Sequence, residues 1–320
     1  MTLASDSMTS SSVHIPVLVM EVVAALEPGP GKTVIDATID GGGHARALLH
    51  HLGPSGRLLG LDRDPTILEQ LRTALAADIS AGRLRVMAAN FAHIEQVART
   101  EGFMGADAVL FDLGLSAHHL ETSDRGFSFE RDEPLDLRFD AADAGLLPAT
   151  QLLRTIRCDA LARVIATYGE ERYARRIARH VGEVRSRRPI ETAKELRNCI
   201  LEALPPGARR HGLRSVARVF QALRIVTNGE IEALESALPQ IPAVLRPGGR
   251  IAVIAFHSLE DRVVKRFFRQ AAAEGQLRIL TKKPLRPSAA ELRSNPRARS
   301  ARLRVAERMG GEPGGGRVGG

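Results

Sequence analysis

The sequence predicts an α/β fold in which helices cover both faces of a parallel sheet and an all-helical segment interrupts the α/β pattern. Three observations predict it. Short apolar strand patterns alternate with helical patterns through residue 112, as is typical of a parallel sheet. From about residue 150 to 228 only helical patterns appear, with arginines spread through them. Beyond residue 228 helix and strand patterns return, so we expect the helical segment to be an insertion in one α/β domain.

Four apolar runs in the first part predict the strands, and helical patterns separate them. The predicted strands are residues 33–36, 57–62, 84–87 and 107–112, and the predicted helices are residues 45–52, 65–77 and 93–101. Asp64 followed by Pro65 is typical of an N-cap and a first helical position. In the second part we expect a helix over residues 230–245, a turn at 246–249 and a strand over 250–256.

These patterns divide the chain into an interrupted α/β domain and its insertion. We expect the α/β domain at residues 13–118 and 216–309, the latter with a basic C-terminal segment, and the inserted helical domain at residues 119–215. Residues 310–320 are GGEPGGGRVGG. They offer little to bury, so we expect them to be disordered.

The net charge of +8 is distributed unevenly over the 320 residues. Residues 1–150 carry 11 basic and 21 acidic side chains, residues 151–228 carry 17 and 7, and residues 276–320 carry 11 and 3. Such segregation indicates basic parts that bind a polyanion and an acidic part that binds a neutral or cationic ligand. The alternative is a general preference for arginine, which would place solvated basic faces on the same helices.

Other features indicate a soluble, cytoplasmic protein. Cys158 and Cys199 lie far apart, without the spacing of a disulfide scaffold or a zinc site. The first residues lack the basic and apolar regions of a secretory signal, and no apolar run approaches the roughly 20 residues of a membrane span.

The histidine pairs at 50–51 and 118–119 do not predict a metal site, because adjacent side chains do not converge on one ion.

Three predicted strands end in an acid: Asp36, Asp62 and Asp112. The ligand crevice of an open parallel sheet lies outside the carboxyl ends of its strands, so these acids should line one mouth. A glycine run at residues 41–43 follows the first acid, where bare backbone lets a ligand approach. Asp62 follows Gly42 by 20 residues, the spacing of a carboxylate that binds ribose hydroxyls. The alternative is that the glycine run is only a tight turn and Asp62 only a capping residue, with no cofactor bound.

The missing glycine patterns indicate which nucleoside cofactor would bind. The dinucleotide pattern G-x-G-x-x-G fails at Arg46, and residues 28–33 lack the first glycine of a P-loop and precede a strand. An acidic mouth without a phosphate cradle suits S-adenosylmethionine, which carries a sulfonium and an ammonium but no phosphate. Asn90 and Phe91 stand where an adenine edge contact and a stacking ring would be expected.

Several long motifs then carry a resemblance to one family, in order from residue 14 to about 308. They include DATIDGGGH at 36–44, FDLGLS at 111–116, RGFSF at 125–129, YGEER at 168–172, FHSLEDR at 256–262 and NPRARS at 295–300. The chain resembles the ribosomal RNA small-subunit methyltransferase H family, the 16S rRNA cytosine-N4 methyltransferases. The resemblance implies a class I, Rossmann-like S-adenosylmethionine-dependent methyltransferase fold with an inserted helical domain. It also implies methylation of N4 of the decoding-centre cytidine usually numbered 1402.

The resemblance further implies a set of site residues. The implied cofactor contacts are Gly42, Gly43 and His44 in the glycine turn, Asp62 at the ribose, Phe91 at the adenine, Asp112 at the methionine end, and His119. The family usually has glycine where Asp40 stands and glutamine where His119 stands. The implied partner is 16S rRNA or the small ribosomal subunit, with no membrane or metal. Arg175, Arg176 and Arg179 are expected to contact that RNA.

Asp112 is also the candidate catalytic residue. The cytosine amine is a poor nucleophile because its lone pair is delocalised into the ring, and a carboxylate that accepts an N–H bond helps to localise it. His257 and Ser258 are second candidates, and Ser258 is also expected to be a helix N-cap. Two alternatives remain: a non-catalytic RNA-binding protein on the same fold, and a nicotinamide-dependent oxidoreductase, which the missing glycine pattern disfavours.

Overall fold

The computed structural model describes residues 16–310, and one seven-stranded sheet runs through this part of the chain. The strands are β1 (Thr33–Asp36), β2 (Arg57–Asp62), β3 (Leu84–Ala88), β4 (Ala106–Asp112), β5 (Leu245–Ala255), β6 (Leu277–Ile279) and β7 (Arg302–Arg308). Their order is β3-β2-β1-β4-β5-β7-β6. The first five strands are parallel, and β7 is antiparallel to both β5 and β6. The predicted α/β class is therefore confirmed.

Helices cover the sheet and form the segment between β4 and β5. They are α1 (Val19–Leu26), α2 (Gly43–Leu52), α3 (Pro65–Ala74), α4 (Ala76–Ser80), α5 (Ile94–Glu101), α6 (Ala117–Glu121), α7 (Ala149–Thr155), α8 (Cys158–Gly169), α9 (Ala174–Arg185), α10 (Ala193–Ala203), α11 (Pro206–Arg209), α12 (Gly212–Asn228), α13 (Glu230–Ala237), α14 (Ile241–Val244), α15 (Ser258–Ala273) and α16 (Ala289–Ser294). Short 3-10 turns occur at Phe91–His93, Leu238–Gln240 and Pro296–Ser300. None of the helices in residues 16–310 is long and apolar enough to cross a membrane.

The predicted elements of the first part are largely confirmed. The strands β1 and β2 have the predicted bounds, and Asp64 caps α3 by accepting the backbone N–H of Thr66 at 2.9 Å. The helix predicted over 65–77 ends at Ala74, and α4 follows it. The helix predicted over 230–245 is divided into α13 and α14. Pro239 and Pro242 lie at the division, where a ring without an N–H interrupts regular helical hydrogen bonding.

Both faces of the sheet are buried, because β4 sends alternate side chains into two different cores. Ala108 and Leu110 belong to the core that includes α1, α2 and α3. Val109 and Phe111 belong to the opposite core, with α5, α13 and α15. This two-sided burial is typical of a parallel sheet and explains the continuously apolar strands.

The helical segment has a third core of its own. Leu153, Ile165, Ile177 and Leu196 are among its buried members, and α12 contributes as far as Leu223. The helix α12 thus packs in the helical core along most of its length and ends beside the sheet. The division at residues 215 and 216 falls inside α12, and the proposed domain bounds stay a prediction. Residues 13–15 and the glycine-rich residues 311–320 lie outside the described part.

The strands β6 and β7 were not predicted. Residues 302–308 read RLRVAER and resemble a basic segment, yet Leu303 and Val305 are buried. The charges of Arg302 and Arg304 are paired with Asp261 on α15, the nearest contact being 2.7 Å from Arg304 Nε. An internal ion pair therefore allows a basic sequence to lie inside the sheet.

Candidate active site

The carboxyl ends of β1, β2, β4 and β5 surround a cavity with about 730 Å³ of empty space. It lies where the strand order reverses, between β1 and β4, the usual ligand position in such sheets. Of the predicted residues, Asp62, Phe91, Asp112 and His119 line this cavity. Gly42, Gly43, His44 and Asp36 are not among its lining residues.

Asp36 is a core residue below the cavity. It is 1% exposed and accepts the N–H of Thr38 with one oxygen at 3.2 Å. Its other oxygen has no hydrogen-bond partner among the described residues. Burial raises the pKa of Asp36 to about 7. The prediction that all three strand-end acids line one mouth is therefore wrong for Asp36.

Asp40 takes the place in the wall that Asp36 was expected to fill. Its backbone is left-handed, with φ of 46°, and its N–H donates to Asp62 Oδ2 at 3.1 Å. Burial, together with the nearby carboxylates of Asp62 and Asp112, raises the pKa of Asp40 to about 8. The turn after β1 thus adds an acid to an already acidic cavity.

The glycines of this turn are required by packing. Gly42 has φ of 78°, and a Cβ placed on it would lie 2.5 Å from Leu71 Cδ1 on α3. A Cβ on Gly43 would lie 2.8 Å from Pro16 Cβ. Larger residues at either position would push α2 away from its neighbours. Only Gly41 is open, with nothing within 4 Å of an added Cβ.

His44 lies behind Asp112. It is 6% exposed, its Nε2 is 2.9 Å from the carbonyl of Val17, and its Nδ1 is 3.4 Å from Asp112 Oδ2. Burial raises the pKa of Asp112, against the opposing influence of His44. The second oxygen, Asp112 Oδ1, is buried without a hydrogen-bond partner among the described residues. An unpartnered buried oxygen is costly, so its presence in the cavity wall points to a ligand.

Asp62 is oriented by the backbone on either side of it. Oδ2 accepts the Asp40 N–H, and Oδ1 accepts the Asp64 N–H at 2.9 Å. Burial raises the pKa of Asp62 to about 6, although these N–H groups act in the opposite direction. Each carboxylate oxygen accepts up to two hydrogen bonds, so acceptor capacity remains for ligand hydroxyls.

On the adenine side of the expected site, Phe91 packs edge-to-face on Phe111, with ring centroids 5.5 Å apart. Asn90 is not among the residues of the cavity wall. Its side chain instead accepts the N–H of Ala92 at 3.0 Å and caps the 3-10 turn.

His119 presents its ring to the cavity but not a free nitrogen. Its Nε2 is 3.1 Å from Asp64 Oδ2, and its Nδ1 is 2.9 Å from the hydroxyl of Ser116. The ring lies between Phe127 and Phe139, with centroid distances of 4.9 and 5.0 Å. Burial lowers the pKa of His119 to about 4, so the ring is neutral and donates to Asp64.

Asp64 is the centre of a network that sequence reasoning missed. Besides capping α3 it accepts hydrogen bonds from His119 and Arg125. Although its burial acts in the opposite direction, these two partners hold the pKa of Asp64 well below its ordinary value. The network joins the end of β2 to the segment after β4, and only its capping role was visible in the sequence.

Two glutamates, Glu230 and Glu260, also line the cavity and were not predicted. Glu260 Oε2 accepts the N–H of Phe256 at 2.8 Å and of His257 at 3.2 Å. His257 is the N-cap of α15, so the prediction of Ser258 as the cap is wrong by one residue. Counting three residues from His257 to Glu260 gives the capping-box spacing that could have revealed Glu260.

Glu230, His257 and Glu260 bring possible metal-ligand atoms within 4.8 Å of one another. Arg224 holds Glu230 through two hydrogen bonds of 2.8 Å. Because that guanidinium neutralises Glu230 and backbone groups hold Glu260, the cluster is balanced without an ion.

A groove with aromatic walls adjoins the cavity and shares Leu113 and Gly114 with it. Phe129, Phe256 and His257 are among its walls. A Cβ on Gly114 would lie 3.0 Å from Phe256 Cε2 and 3.4 Å from Asp112 Oδ1. Gly114 therefore separates the acidic cavity from the aromatic groove at a place with no room for a side chain.

The strand order and an acidic cavity without a phosphate cradle define a class I, Rossmann-like S-adenosylmethionine-dependent methyltransferase fold. Residues 11–309 match the model of the MraW methylase family, and the chain belongs to that family. The resemblance drawn from the sequence motifs is thereby confirmed.

The chain is 45% identical to the ribosomal RNA small subunit methyltransferase H of Magnetococcus marinus, over 92% of this chain and 98% of that protein. It is also 45% identical to the protein of the same name from Thermomicrobium roseum, over 93% of this chain and 94% of that protein. Among solved structures, Aeropyrum pernix fibrillarin with bound S-adenosyl-L-methionine is 11% identical, with a TM-score of 0.37, over 89% of this chain and 74% of that one.

Proposed function

We propose that this methyltransferase transfers a methyl group from S-adenosylmethionine to N4 of a cytidine in the decoding centre of 16S rRNA. The observation that carries the proposal is the pair of adjoining sites, one acidic and one aromatic, with Asp112 and Gly114 between them. The relatives named above support rRNA as the substrate class.

The cavity fits a cationic cofactor. Its wall includes the acids Asp40, Asp62 and Asp112, and burial raises the pKa of each. Crowded carboxylates that ionise with difficulty gain stability when a cation approaches them. When bound, S-adenosylmethionine supplies a methyl group on a positively charged sulfur, which makes that carbon electrophilic.

The protein's part in cofactor binding follows from these positions. In this proposal Asp62 accepts hydrogen bonds from both ribose hydroxyls, and Phe91 contacts the adenine. Asp40 and Asp112 lie toward the ammonium and sulfonium charges. Gly42 and Gly43 act indirectly, by letting the turn pack closely, and His44 acts by orienting Asp112.

The aromatic groove is the proposed site of the target base. Apolar walls suit a planar base that has been unstacked from RNA. His257 Nδ1 accepts the N–H of Glu260 at 3.4 Å, which leaves Nε2 as the donor of this ring. Nε2 lies 3.0 Å from Glu260 Oε1, outside hydrogen-bond geometry, and has no hydrogen-bond partner among the described residues. A donor at His257 and an acceptor at Asp112 complement the N3 acceptor and N4 amine of cytosine, not the reversed pattern of uracil.

In the transfer, the amine nitrogen forms a bond to the methyl carbon as the bond from sulfur to that carbon breaks. The sulfur becomes neutral, and the nitrogen must lose one proton. Asp112 Oδ1, unpartnered and close to Gly114, is the proposed acceptor. Positioning of the amine and the methyl carbon provides most of the acceleration.

The helical segment is proposed to bind the surrounding RNA, because residues 151–228 carry ten more basic than acidic side chains. A substrate in the small ribosomal subunit would place the protein in the cytoplasm. A non-catalytic RNA-binding protein remains the alternative, and the buried acids around the cavity argue against it.

The direct test is incubation with radiolabelled S-adenosylmethionine and small ribosomal subunits from cells that lack the enzyme, followed by nucleoside analysis. We expect label in N4-methylcytidine alone. Label in another nucleoside would contradict the proposed reaction. RNA binding without any transfer or cofactor binding would support the non-catalytic alternative.

A further inference from the structure

A separate basic groove, distant from the cavity, lies where α10, α11 and α12 meet in the helical segment. Its lining residues are Arg197, Leu201, Arg209, Arg210, His211, Gly212, Leu213 and Arg214. Four are arginines and none is acidic. The nearest acid along the chain, Glu202, is turned toward His180, with 3.4 Å between Glu202 Oε2 and His180 Nε2.

Some arginines around this groove have a structural role. The last carbonyl groups of a helix lack intrahelical partners and attract cations. Arg209 donates to the carbonyls of Leu204 at 3.2 Å and Glu202 at 3.4 Å, and Arg176 donates to the carbonyl of Ala203. These two guanidinium groups therefore cap the C-terminus of α10.

Other arginines in the groove have no such role. Arg210 and Arg214 are exposed, and within residues 16–310 neither forms an ion pair or a side-chain hydrogen bond. Arg197 is half-buried, and its buried Nε has no partner in the same described part. The groove thus offers unneutralised cationic groups on a well-packed support. Gly212 shows how tight that support is, because a Cβ there would lie 2.5 Å from Leu201 Cδ2.

The helix α12 fixes the distance from this groove to the cavity. It runs from Gly212, in the groove wall, to Asn228, whose carbonyl accepts a hydrogen bond from Arg63 in the cavity wall at 2.7 Å. Its 17 residues span about 25 Å at the usual helical rise. The same helix lines the aromatic groove with residues from Ala217 to Arg224, which lie about 8 to 18 Å from Gly212 along the helix axis. The basic groove is therefore outside the proposed base site but close to it.

We propose that this groove binds phosphate groups of the RNA substrate that neighbour the nucleotide whose base is methylated. The inference rests on the proposed function for the identity of the RNA, but the groove itself is argued from its charge. Arg210 and Arg214 are the main phosphate contacts, with Arg197 deeper in the groove. Such contacts strengthen binding without reading sequence.

The test compares the double variant R210E/R214E with the control K265E/R269E. The control changes two exposed basic residues with the same spacing on α15, outside the groove. For R210E/R214E we expect the KM for small subunits to rise about tenfold and the salt dependence of RNA binding to fall by roughly one to two in log–log slope. The kcat and the affinity for S-adenosylmethionine should be unchanged, and R210K/R214K should retain most of the RNA affinity.

A wild-type KM in R210E/R214E, or an equal increase in the control, would overturn the proposal. A second measurement does not depend on the reaction: a short RNA duplex without a target cytidine should bind the wild-type protein more tightly than R210A/R214A. If wild-type protein binds that duplex but makes no N4-methylcytidine, the proposed reaction fails while the groove stands. If the wild-type protein and R210A/R214A bind the duplex equally, the groove does not bind phosphate, whichever reaction the enzyme catalyses.

Discussion

Asp40 combines a left-handed backbone with a carboxyl group that ionises only near pH 8, because burial and two neighbouring acids raise its pKa. Left-handed backbone costs a non-glycine residue about 1–2 kcal/mol. The folded protein holds the Asp40 proton more tightly than the unfolded chain does. Its contribution to stability is therefore largest at low pH and is lost as pH rises from about 4 through 8.

We expect Asp40→Gly to raise the melting temperature of the ligand-free protein, and the gain to be larger at pH 8 than at pH 5. The substitution removes both the strained backbone and the buried charge. Asp40→Asn is the matched control, which removes only the charge and should give a smaller gain. Thermal unfolding at the two pH values measures the effect, and an equal gain at both would refute the assigned pKa.

Asp62→Ala should weaken S-adenosylmethionine binding about a hundredfold or more, because it removes a charged acceptor for two ribose hydroxyls. RNA affinity should be largely intact. Asp36→Asn is the control, since this strand-end acid lies in the core and outside the cavity wall. Calorimetric titration with S-adenosylmethionine gives the cofactor affinity of each variant. An unchanged cofactor affinity in Asp62→Ala would exclude the ribose role.

Gly114→Ala should lower kcat at least about tenfold while cofactor affinity is retained. The added methyl group would lie 3.0 Å from the Phe256 ring and 3.4 Å from Asp112 Oδ1, in the passage between the two sites. A misplacement of this kind is costly in a reaction that depends on alignment. Gly41→Ala is the control, because nothing lies within 4 Å of its added Cβ. Equal rates for the two variants would contradict the proposed passage.

At the scale of elements, the cap of α3 also fastens the segment after β4, because Asp64 is shared by Thr66, His119 and Arg125. The pKa of Asp64 is held low, so its stabilisation is present above about pH 4 and is lost as the pH falls further. Asp64→Asn should lower the free energy of unfolding by about 3 kcal/mol at pH 7, as when one partner of a buried ion pair is removed. Chemical denaturation at pH 7 and pH 3 should show the difference shrinking in acid.

The elements also show what the sequence could and could not predict. β1 and β2 were predictable because both faces are buried and few charges interrupt them. β7 was not, because its arginines are neutralised by Asp261, an ion pair that depends on the distant helix α15. The rule that ligands bind outside the carboxyl ends of parallel strands correctly predicted Asp62 and Asp112 in the cavity wall but was wrong for Asp36. Glu260 could have been found from its capping-box spacing to His257. Glu230 reaches the cavity only because the chain returns to the sheet after the helical segment, and no local pattern predicts that.

For the whole molecule, charge segregation has a structural counterpart. Acids gather at the cavity, whereas exposed arginines lie on the helical segment. Arg175 and Arg179 are exposed on α9 and have no structural role that we identify in the described part of the chain. Arg176 donates a hydrogen bond to the carbonyl of Ala203 and so also caps α10. Substitution of Arg175 and Arg179 is therefore expected to affect RNA binding without affecting stability.

R175E/R179E should weaken RNA binding and reduce its salt dependence, with no change in cofactor affinity. Adding Arg176→Glu should also lower the melting temperature, since α10 loses a cap. Filter binding at several salt concentrations and thermal unfolding separate these two effects. An unaltered salt slope in R175E/R179E would remove α9 from the RNA-binding surface.

The final strand of the described chain, β7, lies between β5 and β6 and not at the edge of the sheet. During synthesis, therefore, β6 has no partner in the sheet until residues near 308 have left the ribosome. A chain without β7 would leave β5 with an open edge from Arg250 to Ala255, the end that leads to Glu260. Because β7 follows α15 and β6 in the chain, this edge of β5 is covered only after both of those elements have been synthesised.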